Sequence, residues 1–255
     1  MLQVDKLSKR FGGLQALRDV TVRAAPHDIT AVIGPNGAGK STLMNAISGF
    51  IPPDSGTVRV AGTEITGMKP HEICRQGVVR TFQNLQMFTD MSVLEAVVTG
   101  RTRHMKASML ANLLMTPHAR HDEREAEERA RSYLQTVGIG PAYWTRRAGD
   151  LPYGLQRRVE IARALATEPA FMLLDEPAAG LNDDESAALG QTLLGLAATG
   201  IGIVLIEHDI ELVMNVSQHI FVMDAGAVIA EGTPDAVRAN PEVIAAYLGD
   251  EHAAA

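Results

Sequence analysis

The chain is poor in cysteine, in aromatic residues and in positive charge. Cys74 is the single cysteine among 255 residues, so no internal disulfide can form; this excludes a secreted disulfide scaffold and fits a reducing compartment. Lys and Arg total 23 against 30 Asp and Glu, a net charge of -7. The basic surface that nucleic-acid binding draws on is therefore lacking, and a nucleic-acid partner is disfavoured. No continuous apolar segment opens the chain, because Met1 to Phe11 carries Asp5, Lys6, Lys9 and Arg10; it does not read as a signal peptide. Internal repeats are missing, and low complexity is confined to Ala253 to Ala255. Ala187 to Ile206 is uncharged and long enough to span a bilayer. Gly190, Gly195, Gly200 and Gly202, with Gln191, Thr192 and Thr199, dilute its hydrophobicity. Thr199-Gly200 then divides a helical pattern from a short apolar strand, so the chain is expected to be soluble by itself.

What is present is a core-forming composition, 46% hydrophobic and 21% charged, enough for one compact domain or two closely joined ones. Three short apolar runs end in polar residues. Ile29 to Ile33 leads into a Gly-rich loop, Phe171 to Leu174 into Asp175-Glu176, and Ile203 to Ile206 into Glu207-His208. Such runs read as buried parallel strands. Helical patterns at Gln156 to Ala166 and Glu185 to Ala198 alternate with them, which predicts an α/β sheet whose ligands gather at the carboxyl ends of the strands. Val4, Val20 to Val22 and Val58 to Val60 predict an antiparallel layer near the N-terminus. Ile220 to Met223 and Ala227 to Ala230 predict a hairpin turning through Asp224-Ala225-Gly226. Residues 84–166 are mostly helical in pattern and read as a helical subdomain inserted into a core formed by 1–83 and 167–255. Within it, Arg120 to Arg131 pairs Glu125 with Arg129 and Glu127 with Arg131 at a spacing of four, the mark of a solvated helix face.

Gly34-Pro35-Asn36-Gly37-Ala38-Gly39-Lys40-Ser41 matches G-x-x-x-x-G-K-[ST] between a predicted strand and a helix predicted from Thr42 to Ser48, the context this phosphate loop requires. Glycines let backbone N–H groups turn inward around phosphates, and the helix N-terminus adds its positive end. Lys40 then pairs with the β- and γ-phosphates, and the Ser41 hydroxyl ligates Mg²⁺. Asp175 supplies a carboxylate for the metal from a neighbouring strand end, and Glu176 a general base for the attacking water. His208, just beyond a third strand, can donate to the γ-phosphate or orient that water; its position suits a surface histidine at a strand end equally well. Gln83 can touch magnesium and water, although nothing in its local pattern demands it.

Together these residues resemble the nucleotide-binding subunit of ABC transporters, across nearly the whole chain. The order and spacing of five elements are far more specific than any one motif. The resemblance implies a P-loop α/β fold with an N-terminal antiparallel β layer and an inserted helical subdomain, ATP and Mg²⁺ as ligands, and ATP hydrolysis as the activity. It assigns Phe11 to adenine stacking, Gly34 to Thr42 to the phosphate loop, Gln83 to a magnesium and water contact, Asp175 to the metal, Glu176 to catalytic base and His208 to the switch histidine. It places the nucleotide-contacting signature at Leu151-Pro152-Tyr153-Gly154-Leu155, where the family has Leu-Ser-Gly-Gly-Gln. The serine hydroxyl and glutamine amide are thus replaced, although Pro152 suits a helix start and Gly154 can still present backbone donors. The loop after Glu176 also departs, reading Ala179-Gly-Leu-Asn182 where many relatives end in Asp.

Ala178-Ala-Gly-Leu-Asn182, Ile206-Glu-His-Asp209, the stretch from Gly100 to Glu128 and the tail from Glu231 to Gly249 are similar to the larger ATP-binding subunit of branched-chain amino acid importers. That likeness implies a peripheral subunit on the cytoplasmic face of the cell membrane. Its implied partners are two transmembrane permease subunits, a second ATPase of a different or the same kind, and indirectly a periplasmic binding protein. Urea, amide and lipopolysaccharide transport ATPases are similar too. A soluble ABC ATPase generally carries two cassettes or a long coiled-coil insertion, and this chain has neither. A nucleotide switch without turnover is the remaining alternative, suggested by the altered signature.

Overall fold

The computed structural model describes residues 1–81, 90–104 and 117–246. Gln83, part of the Gly100 to Glu128 stretch and the end of the tail lie outside the described residues. The chain forms two compact units, Met1–Gln83 with Ala170–Ala255, and Asn84–Pro169.

In the first unit, β1 (Leu2–Phe11), β2 (Leu14–Ala24), β4 (Ser55–Val60) and β5 (Thr63–Glu64) make an antiparallel sheet in the order β2-β1-β4-β5. A second sheet takes β3 (Ile29–Ile33), β6 (Val78–Arg80), β7 (Phe171–Asp175), β8 (Gly202–Ile206), β9 (His219–Asp224) and β10 (Ala227–Gly232) in the order β10-β9-β3-β8-β7-β6. Strands β9, β3, β8, β7 and β6 run parallel, and only β10 returns antiparallel. The hairpin expected through Asp224-Ala225-Gly226 therefore forms, with Asp224 ending β9 and the turn at Ala225-Gly226, but its first strand also extends the parallel sheet. It can do so because β9 is apolar on both faces.

Alternation along the strands sends neighbouring residues to opposite faces. Val32, Phe221 and Met223 join a core shared with the antiparallel sheet and with α1 (Lys40–Ile47) through Leu43, Met44 and Ile47. Ala31, Ile33, Ile220 and Val222 face a second core, closed by Val213 and Val237. Val213 lies in α7 (Ile210–Val216) and Val237 in α8 (Pro234–Arg238). The register aligns Val32 and Asp175 with Ile206, so the three polar strand endings emerge along one edge of the sheet. The uncharged stretch from Ala187 folds as the end of α6 (Asp183–Ala198), breaks at Gly200 and continues as β8. Strand β6 and the short α2 (Pro70–Arg75) were not expected, being too brief to show a period.

The second unit packs α3 (Val93–Val98), α4 (Pro117–Thr136) and α5 (Tyr153–Leu165) around Val93, Val97, Ala126, Ala130, Leu134, Val159 and Ala162. The spacing of four from Ala126 to Ala130 to Leu134 sets one apolar stripe on α4. Its outer face carries Glu127–Arg131 at 2.7 Å and Glu125–Arg129 at 4.0 Å, exposed pairs that add little stability. Among the described residues no helix is long and apolar enough to cross a membrane.

Candidate active site

The loop between β3 and α1 owes its shape to glycine. Gly34 has φ 146, and a Cβ there would lie 2.0 Å from the Met223 carbonyl oxygen; Gly39 has φ 99, and a Cβ would lie 2.5 Å from the Ala16 carbonyl oxygen. Neither position admits another residue without a shift of backbone. The turn of the β9–β10 hairpin holds the loop from behind, since Gly226 N–H donates to the Ala38 carbonyl at 3.1 Å and accepts on its own carbonyl from Arg18 N–H at 2.7 Å. Lys40 is buried and its Nζ donates to the Gly34 and Pro35 carbonyls at 2.6 and 2.9 Å. Gly39 precedes the first turn of α1 with no side-chain cap, leaving that helix end to an anion.

A cleft of about 420 Å³ opens over this loop and is bordered by Phe11, residues 36–42, Glu176 and His208, together with Leu14, Gln15, Ala16, Ala225 and Gly226. The Phe11 ring is 44% exposed, with Lys9 Nζ 5.6 Å from its centroid, and it offers a face to a planar base. Glu176 lies just past β7 with φ 48, a left-handed conformation that strains a residue with a side chain by about 1–3 kcal/mol. The bend turns its carboxylate to the cleft, where Oε1 lies 2.9 Å from His208 Nε2. A larger cleft of about 580 Å³ between α6 and α7 carries Asp183, Asp209 and Glu211 and no cation, so its charge repels a polyphosphate.

Asp175, the last residue of β7, is not among the residues that border the cleft. Its Oδ2 accepts from Arg80 Nη2 at 2.7 Å, both side chains being 7% exposed. Arg80 Nη1 also donates to Asn45 Oδ1 at 2.6 Å and to Ser48 Oγ at 3.2 Å, joining the acidic strand end to α1. With the Ser41 hydroxyl at the cleft, the donor set is oxygen only, which suits a hard cation such as Mg²⁺. Arg80 was missed from sequence; its one local sign is a cation closing the run Val78-Val79-Arg80.

In the second unit, Pro152 is the N-cap of α5 with φ -51, and its carbonyl accepts from the Leu155 and Gln156 amides, both at 3.0 Å. Gln156 Nε2 donates to the Leu151 carbonyl at 2.7 Å. Leu151 and Gly154 are buried, and Tyr153 is exposed. The proline thus fits the helix start, as expected from its fixed φ and missing N–H.

A strand, a glycine loop cradling the start of a helix and an acidic strand end beside it define a P-loop nucleotide-binding protein. A family model described as ABC transporter matches residues 17–179, and one described as Branched-chain amino acid ATP-binding cassette transporter matches residues 227–253. The high-affinity branched-chain amino acid transport ATP-binding protein BraF of Pseudomonas aeruginosa is 45% identical over 98% of each chain. LivG of Escherichia coli K12, of the same description, is 42% identical over 98% of each. The crystal structure of the ADP conformation of an ATP-binding cassette of an ABC transporter is 35% identical, with a TM-score of 0.85 over 98% of both chains. The chain belongs to the ABC transporter family and is an ATPase of that family.

Proposed function

We propose that the chain is the ATP-binding and ATP-hydrolysing subunit of an importer for leucine, isoleucine and valine. The observation that carries the hydrolytic part is that one cleft is bordered by Phe11, residues 36–42, Glu176 and His208 together. The substrate rests on the descriptions of the full-length relatives and on the match of residues 227–253. The two units together form one nucleotide-binding domain. It works on the cytoplasmic face of the membrane with two permease subunits, a second ATPase of a different or the same kind and, indirectly, a periplasmic binding protein.

In this reading Phe11 stacks on adenine, residues 34–42 wrap the phosphates with backbone N–H groups, and Lys40 exchanges its two carbonyl partners for phosphate oxygens. Ser41, Asp175 and Gln83 would hold Mg²⁺, which would supply neutralisation of phosphate charge when bound. Glu176 takes a proton from the attacking water, and His208 holds the Glu176 carboxylate and the γ-phosphate in line. Leu151, Pro152, Tyr153 and Gly154 contact the nucleotide of the second ATPase, with weaker bonding where serine and glutamine are replaced.

The test is to purify tagged Glu176→Gln protein from solubilised native membranes with Mg-ATP, and to measure leucine uptake after deletion of the gene. Two multi-span proteins, a second ATPase and loss of uptake support the proposal. Unchanged leucine uptake with loss of urea, amide or lipopolysaccharide transport moves the substrate. Recovery with ribosomes or nucleic acid and no membrane protein overturns the transporter reading.

A further inference from the structure

We infer that Glu207 is a positioning residue for hydrolysis: its buried carboxylate fixes the loop that carries Glu176 to the loop that carries His208. The inference rests on the roles proposed for those two residues and adds a third, which touches neither nucleotide nor water.

Glu207 follows β8 directly and is only 4% exposed. Its Oε1 accepts from Ala178 N–H at 2.6 Å and its Oε2 from His208 N–H at 3.1 Å, while Asp209 N–H also donates to it. Amides from two separate loops therefore converge on one carboxylate. Glu176 N–H donates to the Ile206 carbonyl at 2.9 Å, so the segment Glu176-Pro177-Ala178 is held at both ends by Ile206 and Glu207. Strained backbone persists only where its surroundings over-determine it; these two bonds supply that restraint for Glu176 at φ 48. The Glu176–His208 contact at 2.9 Å closes the ring. On the far side, Asp209 accepts from Leu212 N–H and from the Ser186 hydroxyl, both at 2.9 Å, which anchors the histidine loop to α6 and α7.

The donor pattern selects a carboxylate. An ionised carboxylate accepts at both oxygens, whereas a glutamine of the same shape would turn an NH₂ group toward a backbone N–H. Burial raises the Glu207 carboxyl above its usual range, against the amides that lower it, and the Glu176 charge adds to the rise. A buried acid held against that electrostatic opposition is weak evidence for stability and fits a role in geometry.

The test compares Glu207→Gln, Glu207→Asp and Glu207→Ala. ATP hydrolysis is measured against ATP concentration in the assembled transporter, and binding of a fluorescent ATP analogue and amide hydrogen exchange in the isolated chain. The Gln and Ala variants are expected to lose about 10- to 100-fold in kcat, because small misplacements of catalytic groups cost that much. KM and analogue affinity stay within about twofold, since other residues build the phosphate loop. Exchange speeds up at Ala178 and His208 but not in β3, and the Asp variant recovers part of the rate. Unchanged kcat in Glu207→Gln overturns the inference, as does an equal loss of analogue binding in all three variants. Glu176→Gln is the control: full activity there rejects the base itself, whereas its loss beside a fully active Glu207→Gln rejects the positioning role alone.

Discussion

Arg80→Met tests the link between the acidic strand end and the phosphate-loop helix. Arg80 and Asp175 meet at 2.7 Å with 7% of each side chain exposed, so the variant leaves a carboxylate buried without its countercharge. Losing one member of a buried pair costs about 3–5 kcal/mol, and Asn45 and Ser48 lose a donor as well. A loss of about 4 kcal/mol corresponds to about a thousandfold in the unfolding constant. Arg80→Met combined with Asp175→Leu removes both charges and should return to within about 1–2 kcal/mol of the parent. The assay is urea unfolding without nucleotide and with chelator, followed by hydrogen exchange in β7 and α1. Trp144, the only tryptophan, lies in the other unit, and its fluorescence serves as an internal control. The reasoning is refuted if Arg80→Met loses less than about 1 kcal/mol, or if the double variant loses the sum of the two single losses.

Gly39→Ala places a Cβ 2.5 Å from the Ala16 carbonyl oxygen at φ 99; it should lower the stability by about 1–2 kcal/mol and weaken nucleotide binding at least about tenfold, as read by melting and by titration with a fluorescent ATP analogue. Restoring Pro152→Ser and Leu155→Gln should raise ATPase activity of the assembled complex by about two- to tenfold, the worth of a hydrogen bond or two. Glu207 is held above its ordinary value of 4.5, so the folded state binds its proton more tightly than the unfolded chain. Its contribution to stability is therefore full below the unfolded value and is lost as pH rises through the folded one. The difference in unfolding free energy between the parent and Glu207→Gln, measured from about pH 4 to pH 8, should fall in that direction; a flat difference contradicts the shift.

The parallel core was legible because β3, β7 and β8 are short, largely apolar runs that lead directly into polar residues. The glycine loop between β3 and α1 was legible because glycine spacing, lysine and flanking elements all agree. Arg80 was hidden, since its partner Asp175 is 95 residues away and no local period reports such a pair. Glu207 reads in sequence as a mere approach to His208; only the fold brings Ala178 onto it. The backing of the loop by Ala16 and Gly226 escaped for the same reason, being contacts between a strand, a hairpin turn and a loop remote in sequence. In the second unit, the suitability of Pro152 for a helix start was legible because proline's fixed φ and missing N–H are local properties.

The most direct test of the account is the ATPase rate of Glu176→Gln in the assembled complex, with nucleotide binding measured on the same preparation. The account predicts that turnover falls by about 10²- to 10⁴-fold while ATP binding is retained, because the loop that wraps the phosphates is untouched. Turnover at the parent rate, with binding intact, would contradict it.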